Sequence, residues 1–185
     1  MEMDRRTALA LLASGVVAGR LEAAQQHLHA VRARPGDYRL QFFSASEHEL
    51  IDVAAEMILP ADHHSPGAGQ ARVAHYIDLV VANSPERTKL FWKSRLAAFD
   101  NLARERHGQP FLKLSASSQA EVMNAIARQE ANPVTEAEHF FVDMKRMAIL
   151  GYYTSEIGLL QELEYKGNAA LASFPGCTHG PRAHR

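Results

Sequence analysis

The stretch TEAEHFFVDMKRMAILG, residues 135–151, decides the fold. Thr135 with Glu138 three residues on is a capping box, in which a hydroxyl and a carboxylate satisfy each other's backbone N–H groups at a helix start. Behind it Phe140, Phe141, Met144, Met147 and Ala148 recur at helical spacing and lie in one apolar stripe as far as Gly151. Pro133 breaks the chain just ahead. A helix this apolar along one side has to be covered by others.

Working upstream, the same pattern repeats. Ser46 and Glu49 predict a capping box opening a helix over Ser46–Leu59, with Leu50, Val53, Ala54, Met57 and Ile58 inward and Pro60 as its stop. PADHHSPGAGQ, residues 60–70, carries two prolines and two glycines, and predicts a loop of defined shape. A second helix over 71–82 places Val73, Tyr76, Ile77, Val80 and Val81 on one face, with Asn83 closing it. Ser84 as cap and Pro85 at the first helical position predict a third helix to His107, burying Leu90, Phe91, Ala98 and Leu102, with Gly108 as its stop. Phe111–Leu114 reads as an apolar connector, and Ser117–Glu130 as a fourth helix with Val122, Met123, Ile126 and Ala127 inward. Downstream of Gly151, Tyr152–Leu163 reads as a shorter helix and Glu164–Arg185 as irregular.

Val, Ile and Thr nowhere gather into alternating runs, so no strand is expected. The fold expected is all-α: a single bundle of five to six helices with an irregular C-terminal tail.

The chain start reads differently. Arg5 and Arg6 precede a run without charge, Thr7 to Gly19, with Leu9 inside it. A charged start, an apolar run shorter than the roughly 20 residues of a membrane span, and small residues afterwards mark a targeting segment. The arginine pair points to the twin-arginine route. The expected division is a signal segment over 1–24, a linker over 25–41 and a helical domain over 42–185.

A formal net charge of −1, with no stripe of interleaved basic and aromatic residues, argues against nucleic acid as a partner. The lone cysteine, Cys177, excludes an internal disulfide, a Cys-ligated iron–sulfur cluster and haem attachment through C-x-x-C-H. It leaves an intermolecular bridge or a free thiol. Ten histidines raise the question of a metal. His63 and His64 beside Asp62, and Cys177 with His179, are the candidate ligands, yet neighbouring residues diverge and no third ligand is marked by spacing. No nucleophile elbow or phosphate loop occurs; Gly67-Ala68-Gly69 has G-x-G spacing without the preceding strand. Gly151-Tyr152-Tyr153-Thr154-Ser155 puts two tyrosines at a helix break, either as interface residues or as a cap on the bundle.

Taken in order, these landmarks resemble the gluconate 2-dehydrogenase subunit 3 family. The matching residues are the twin-arginine start, Ile58-Leu59-Pro60-Ala61-Asp62, Pro66-Gly67-Ala68, Val73 and Tyr76-Ile77-Asp78. Gly151 through Gly158, Tyr165-Lys166-Gly167 and Phe174-Pro175-Gly176-Cys177 follow. The resemblance implies a non-catalytic small subunit of a periplasmic sugar or polyol dehydrogenase. It implies no cofactor in this chain, FAD in a large partner subunit of the glucose-methanol-choline type, and in some complexes a cytochrome with haem c. It also implies that the small subunit helps fold the large one and escorts it through the twin-arginine machinery, remaining membrane-associated only through the complex. Tyr152, Tyr153, Cys177, Pro66 and Gly67 are the interface residues expected on this reading. The alternative is a stand-alone exported metal-binding protein or enzyme using His63 and His64, or Cys177 and His179.

Overall fold

A computed structural model describes residues 38–167; Arg5, Arg6, Leu9, Cys177 and His179 lie outside the described residues. Five α-helices follow in order: α1 (Ala45–Ile58), α2 (Val73–Ala82), α3 (Glu86–His107), α4 (Ala116–Ala127) and α5 (Glu136–Tyr153). A 3-10 turn, Phe111–Lys113, joins α3 to α4, and a π-helical turn, Gly158–Glu162, follows α5. Among the described residues there is no strand, and the all-α bundle expected from periodicity is what forms.

α5 is the centre, and it touches each of the other four helices. Its capping box forms as the sequence requires: Thr135 Oγ1 accepts the Glu138 N–H, and the Glu138 carboxylate accepts the N–H groups of Thr135 at 2.9 Å and Val134 at 2.7 Å. Ala137, Phe140, Phe141, Met144, Ala148, Gly151 and Tyr152 are buried along it. The Phe140 ring stacks on Phe99 of α3 at 4.7 Å, and Phe99 meets Phe111 of the 3-10 turn at 4.6 Å. All three rings are fully buried, each stabilising by roughly 1.5–3 kcal/mol relative to exposure. The 3-10 turn is thus a plug of the core as well as a connector. Gly108 ends α3 at φ 73, the left-handed conformation that glycine adopts without strain.

Several local expectations are corrected. α1 is capped by Ser44 and Glu47, two residues ahead of the predicted Ser46 and Glu49. Both pairs have the same spacing; Glu47 is favoured because it also pairs with Lys93 of α3 at 2.5 Å. α2 begins at Val73, later than predicted, because the Ala71 and Arg72 N–H groups are taken by carbonyls of Gly67 and Gly69. Ser84 does not cap α3: its hydroxyl donates back to the Val80 carbonyl at 2.8 Å, and Pro85 occupies the cap position.

Leu90 and Phe91, predicted to be buried, are 61% and 40% exposed. The inward stripe of α3 is Trp92, Leu96, Phe99 and Ala103, and the larger indole wins the core. Phe91 instead lies between the guanidinium groups of Arg87 and Arg95, 5.2 and 5.1 Å from its ring centre. α4 ends at Ala127, three residues early, in tight turns over 128–130. Tyr152 and Tyr153 belong to the last turn of α5, and of the rest of the expected shorter helix 156–162 is helical, with π geometry over 158–162.

Candidate functional site

The loop over 60–70 is fixed from three sides. Glu56 of α1 reaches over it, its carboxylate accepting the Ala61 N–H at 3.1 Å and the Gly69 N–H at 2.8 Å. Gly67 lies directly beneath: a Cβ there would stand 2.1 Å from Glu56 Oε1. Within the loop, Asp62 Oδ1 accepts the N–H groups of Ser65 at 2.9 Å and His64 at 2.8 Å, and these donors hold its carboxyl below the usual range. From the far end of the bundle, the Tyr152 hydroxyl lies 2.7 Å from the Pro66 carbonyl and 2.9 Å from Ser65 Oγ. Ser65 Oγ in turn donates to Glu162 of the π turn at 2.6 Å. Loop, α5 and π turn are one hydrogen-bonded unit.

A second anchor is Asp78, fully buried on α2 among apolar neighbours. Its carboxylate accepts from the Tyr38 hydroxyl at 2.7 Å and from the backbone N–H groups of Gln41, Phe42 and Phe43 at 2.7, 3.1 and 2.8 Å. Burial pushes this carboxyl up, but the four donors outweigh it and leave it below its ordinary value. The Tyr38 hydroxyl is raised, by burial first and by Asp78 second. This carboxylate satisfies three backbone N–H groups of the bend just before α1 that would otherwise be orphaned.

Between these anchors opens a cavity of about 300 Å³, lined by Tyr38, Arg72, His75 and Tyr76 on one side and by Gly151 and Thr154 on the other. Arg72 occupies the cap position of α2 in the left-handed conformation, at φ 56. Gly151 lets the Tyr76 ring lie against α5, since a Cβ would come 2.7 Å from Tyr76 Cδ1. His48 and His75 meet edge to face at 4.9 Å, and His48 Nε2 and His75 Nδ1 are buried with no protein partner. Burial lowers His75 first, and the neighbouring His48 and Arg72 add to it.

The model of gluconate 2-dehydrogenase subunit 3 matches residues 45–170, which takes in all five helices, the loop and the π turn. The chain belongs to the gluconate 2-dehydrogenase subunit 3 family. No curated protein and no solved structure matches it. Family membership makes the chain a dehydrogenase subunit and ties it to a dehydrogenase complex.

Within this subunit 3 chain, the residues singled out in sequence separate into three groups. Tyr152, Pro66 and Gly67 are brought together, but as internal joints: Tyr152 is 4% exposed and Gly67 is buried. Tyr153 is half-buried against Tyr152, with ring centres 5.3 Å apart. His63 and His64 are exposed, His64 Nε2 lying 3.3 Å from the Glu162 carbonyl, and Asp62 is committed to loop N–H groups. Among the described residues no three His, Cys, Asp or Glu side chains are grouped to hold a metal. Gly67 and Gly69 face the Glu56 carboxylate, whose charge repels a phosphate where the G-x-G spacing would have put one.

Sequence reasoning passed over Asp78 and Glu56 as site residues. Asp78 had a visible signal: one carboxylate on the same helical face as Ala74, Ile77 and Val81. Glu56 had none, since its partners are backbone N–H groups of a loop whose path only the fold determines.

Proposed function

We propose that this chain is the non-catalytic small subunit of an exported FAD-dependent sugar or polyol dehydrogenase of the glucose-methanol-choline type. It binds the large subunit in the cytoplasm, helps it fold, and takes it through the twin-arginine route on the strength of Arg5 and Arg6. It then stays in the periplasmic complex. The observation that carries the reading is the family match over residues 45–170. The charge-free run behind the arginine pair supports the export step.

The flavin belongs to the large subunit, and in complexes with a third subunit haem c takes the electrons onward. In the periplasm the lone Cys177 thiol would bridge to a cysteine of the large subunit, restraining two chains that otherwise separate freely.

The test is purification of the tagged chain from its own host's periplasm, with and without reductant. A companion carrying a flavin spectrum and sugar-dependent dye reduction is the expected result. A companion released only by reductant places Cys177 at the junction. A chain that arrives alone, colourless and inactive overturns the reading. Arg5→Lys with Arg6→Lys is expected to leave both subunits in the cytoplasm.

A further inference from the structure

His75 of α2 stands where the cavity, the seam between α1 and α2, and the segment ahead of α1 meet. Its ring meets His48 of α1 at 4.9 Å and Tyr38 at 4.4 Å, both edge to face. Tyr38 is held to α2 at two further points, its hydroxyl lying 3.2 Å from the His75 carbonyl oxygen and 2.7 Å from Asp78 Oδ2. The same Asp78 oxygen accepts the Gln41 N–H at 2.7 Å. Ring contact, hydroxyl and backbone amide form one connection, and Tyr38 and His75 both belong to the cavity wall.

The His75 ring suits this place only while it is neutral. Its Nδ1 is buried with no hydrogen-bond partner among the described residues, and so is Nε2 of His48 beside it. A second proton makes both ring nitrogens donors, which adds a charge to a desolvated place and a donor that nothing accepts. The surrounding groups do not remove that cost. Asp52 of α1 and Asp78 of α2 draw a proton toward His75, while His48 of α1 and Arg72 of α2 oppose it. Tyr38 and Tyr76 line the same cavity, and Glu156 lines it from behind α5. Neither aspartate bonds to Nδ1, and Asp78 already serves four donors. Solvation is available on the cavity side, and a ring that moves there gives up Tyr38.

We propose that His75 is a proton-operated latch on the cavity wall. Neutral, it holds Tyr38 against α2; protonated, it turns into the cavity, and residues 38–41 come away from α2. The open form, with its ring in water, binds the proton more tightly, so opening grows as pH falls below about 6.5. The stacked rings of Phe99 and Phe140 between α3 and α5 lie outside this seam, so the opening is local and the bundle stays folded.

Hydrogen exchange of the full chain tests the latch, read by NMR as protection factors at pH 7.5 and pH 5.5 in low urea. The protection of the Gln41 amide is expected to fall about fivefold to tenfold between the two pH values, since one proton is taken up on opening. That exchange should be insensitive to low urea, the mark of a local opening, whereas the Met144 amide of α5 follows the urea-dependent global transition. His75→Gln, which cannot charge, should abolish the pH dependence at Gln41. Should that variant not fold, the wild-type titration decides: the Tyr38 ring signals must move with the midpoint of the His75 imidazole. Four results each overturn the latch: equal Gln41 protection at both pH values, a fall retained in folded His75→Gln, Gln41 exchange rising with urea in step with Met144, or Tyr38 signals that follow His48 instead.

Discussion

The Tyr152 hydroxyl stands 2.7 Å from the carbonyl oxygen of Pro66, joining the end of α5 to a loop 86 residues earlier. Ser65 Oγ, at 2.9 Å from the same hydroxyl, passes the connection on to Glu162. Tyr152→Phe removes one buried hydroxyl and leaves the Pro66 carbonyl without its donor. The expected cost is about 1–2 kcal/mol in urea unfolding, with the helical signal at 25 °C unchanged. A loss near zero would mean that Glu56 and the Ser65–Glu162 bond hold the loop without Tyr152.

Gly67 is required by a neighbour rather than by its own backbone. Gly67→Ala puts a Cβ 2.1 Å from Glu56 Oε1, so the carboxylate must leave the N–H groups of Ala61 and Gly69. The expected destabilisation is about 1–3 kcal/mol. Glu56→Ala loses the same two hydrogen bonds, so the double variant should cost no more than about the larger single change. That coupling is read from a double-mutant cycle, and strict additivity would show that Gly67 clashes with something else.

The legible part of this fold was the part written in local pattern. α5, its capping box and its inward Phe140, Phe141 and Met144 follow from spacing alone, and so does Gly108 as the end of α3. What failed were choices between equivalent local solutions. Ser44/Glu47 and Ser46/Glu49 have identical spacing, and Lys93, 46 residues away, tips the balance. Leu90 and Phe91 lost the core to Trp92 because only one stripe of α3 can face α5, a competition that composition does not decide. The loop was recognisable from its prolines and glycines, but its joints to Glu56, Tyr152 and Glu162 connect distant segments and leave no periodic trace.

Acid should weaken the bundle in two stages. His75 is lowered in the folded protein, so its contribution is present above about pH 6.5 and is lost as pH falls below that value. Asp78 is also lowered, so its contribution is present above about pH 4 and is lost as pH falls through the folded value. Glu47 and Glu138, both lowered as well, steepen the second stage. Asp78→Asn is expected to cost about 2–4 kcal/mol at pH 7, since one amide oxygen cannot serve donors from Tyr38, Gln41, Phe42 and Phe43. Its urea midpoint should then fall less than wild type between pH 5 and pH 3, while the His75 stage persists. Parallel curves over that interval would count against Asp78 as the main acid-sensitive anchor.

Gly151 sets two effects against each other. In a helix interior alanine is favoured over glycine by about 1 kcal/mol. Here its Cβ would stand 2.7 Å from Tyr76 Cδ1, and overpacking of that kind costs about 1–3 kcal/mol. Tyr76 borders the cavity and its ring has room to retreat, which keeps the cost toward the low end. Gly151→Ala should therefore destabilise by about 0.5–2 kcal/mol. With Tyr76→Ala in place the clash is gone, and adding Gly151→Ala should stabilise relative to Tyr76→Ala alone. A sign that reverses between the two backgrounds, measured by thermal or urea unfolding, identifies ring contact as the reason for glycine at 151. The same sign in both would locate the constraint in the backbone of α5.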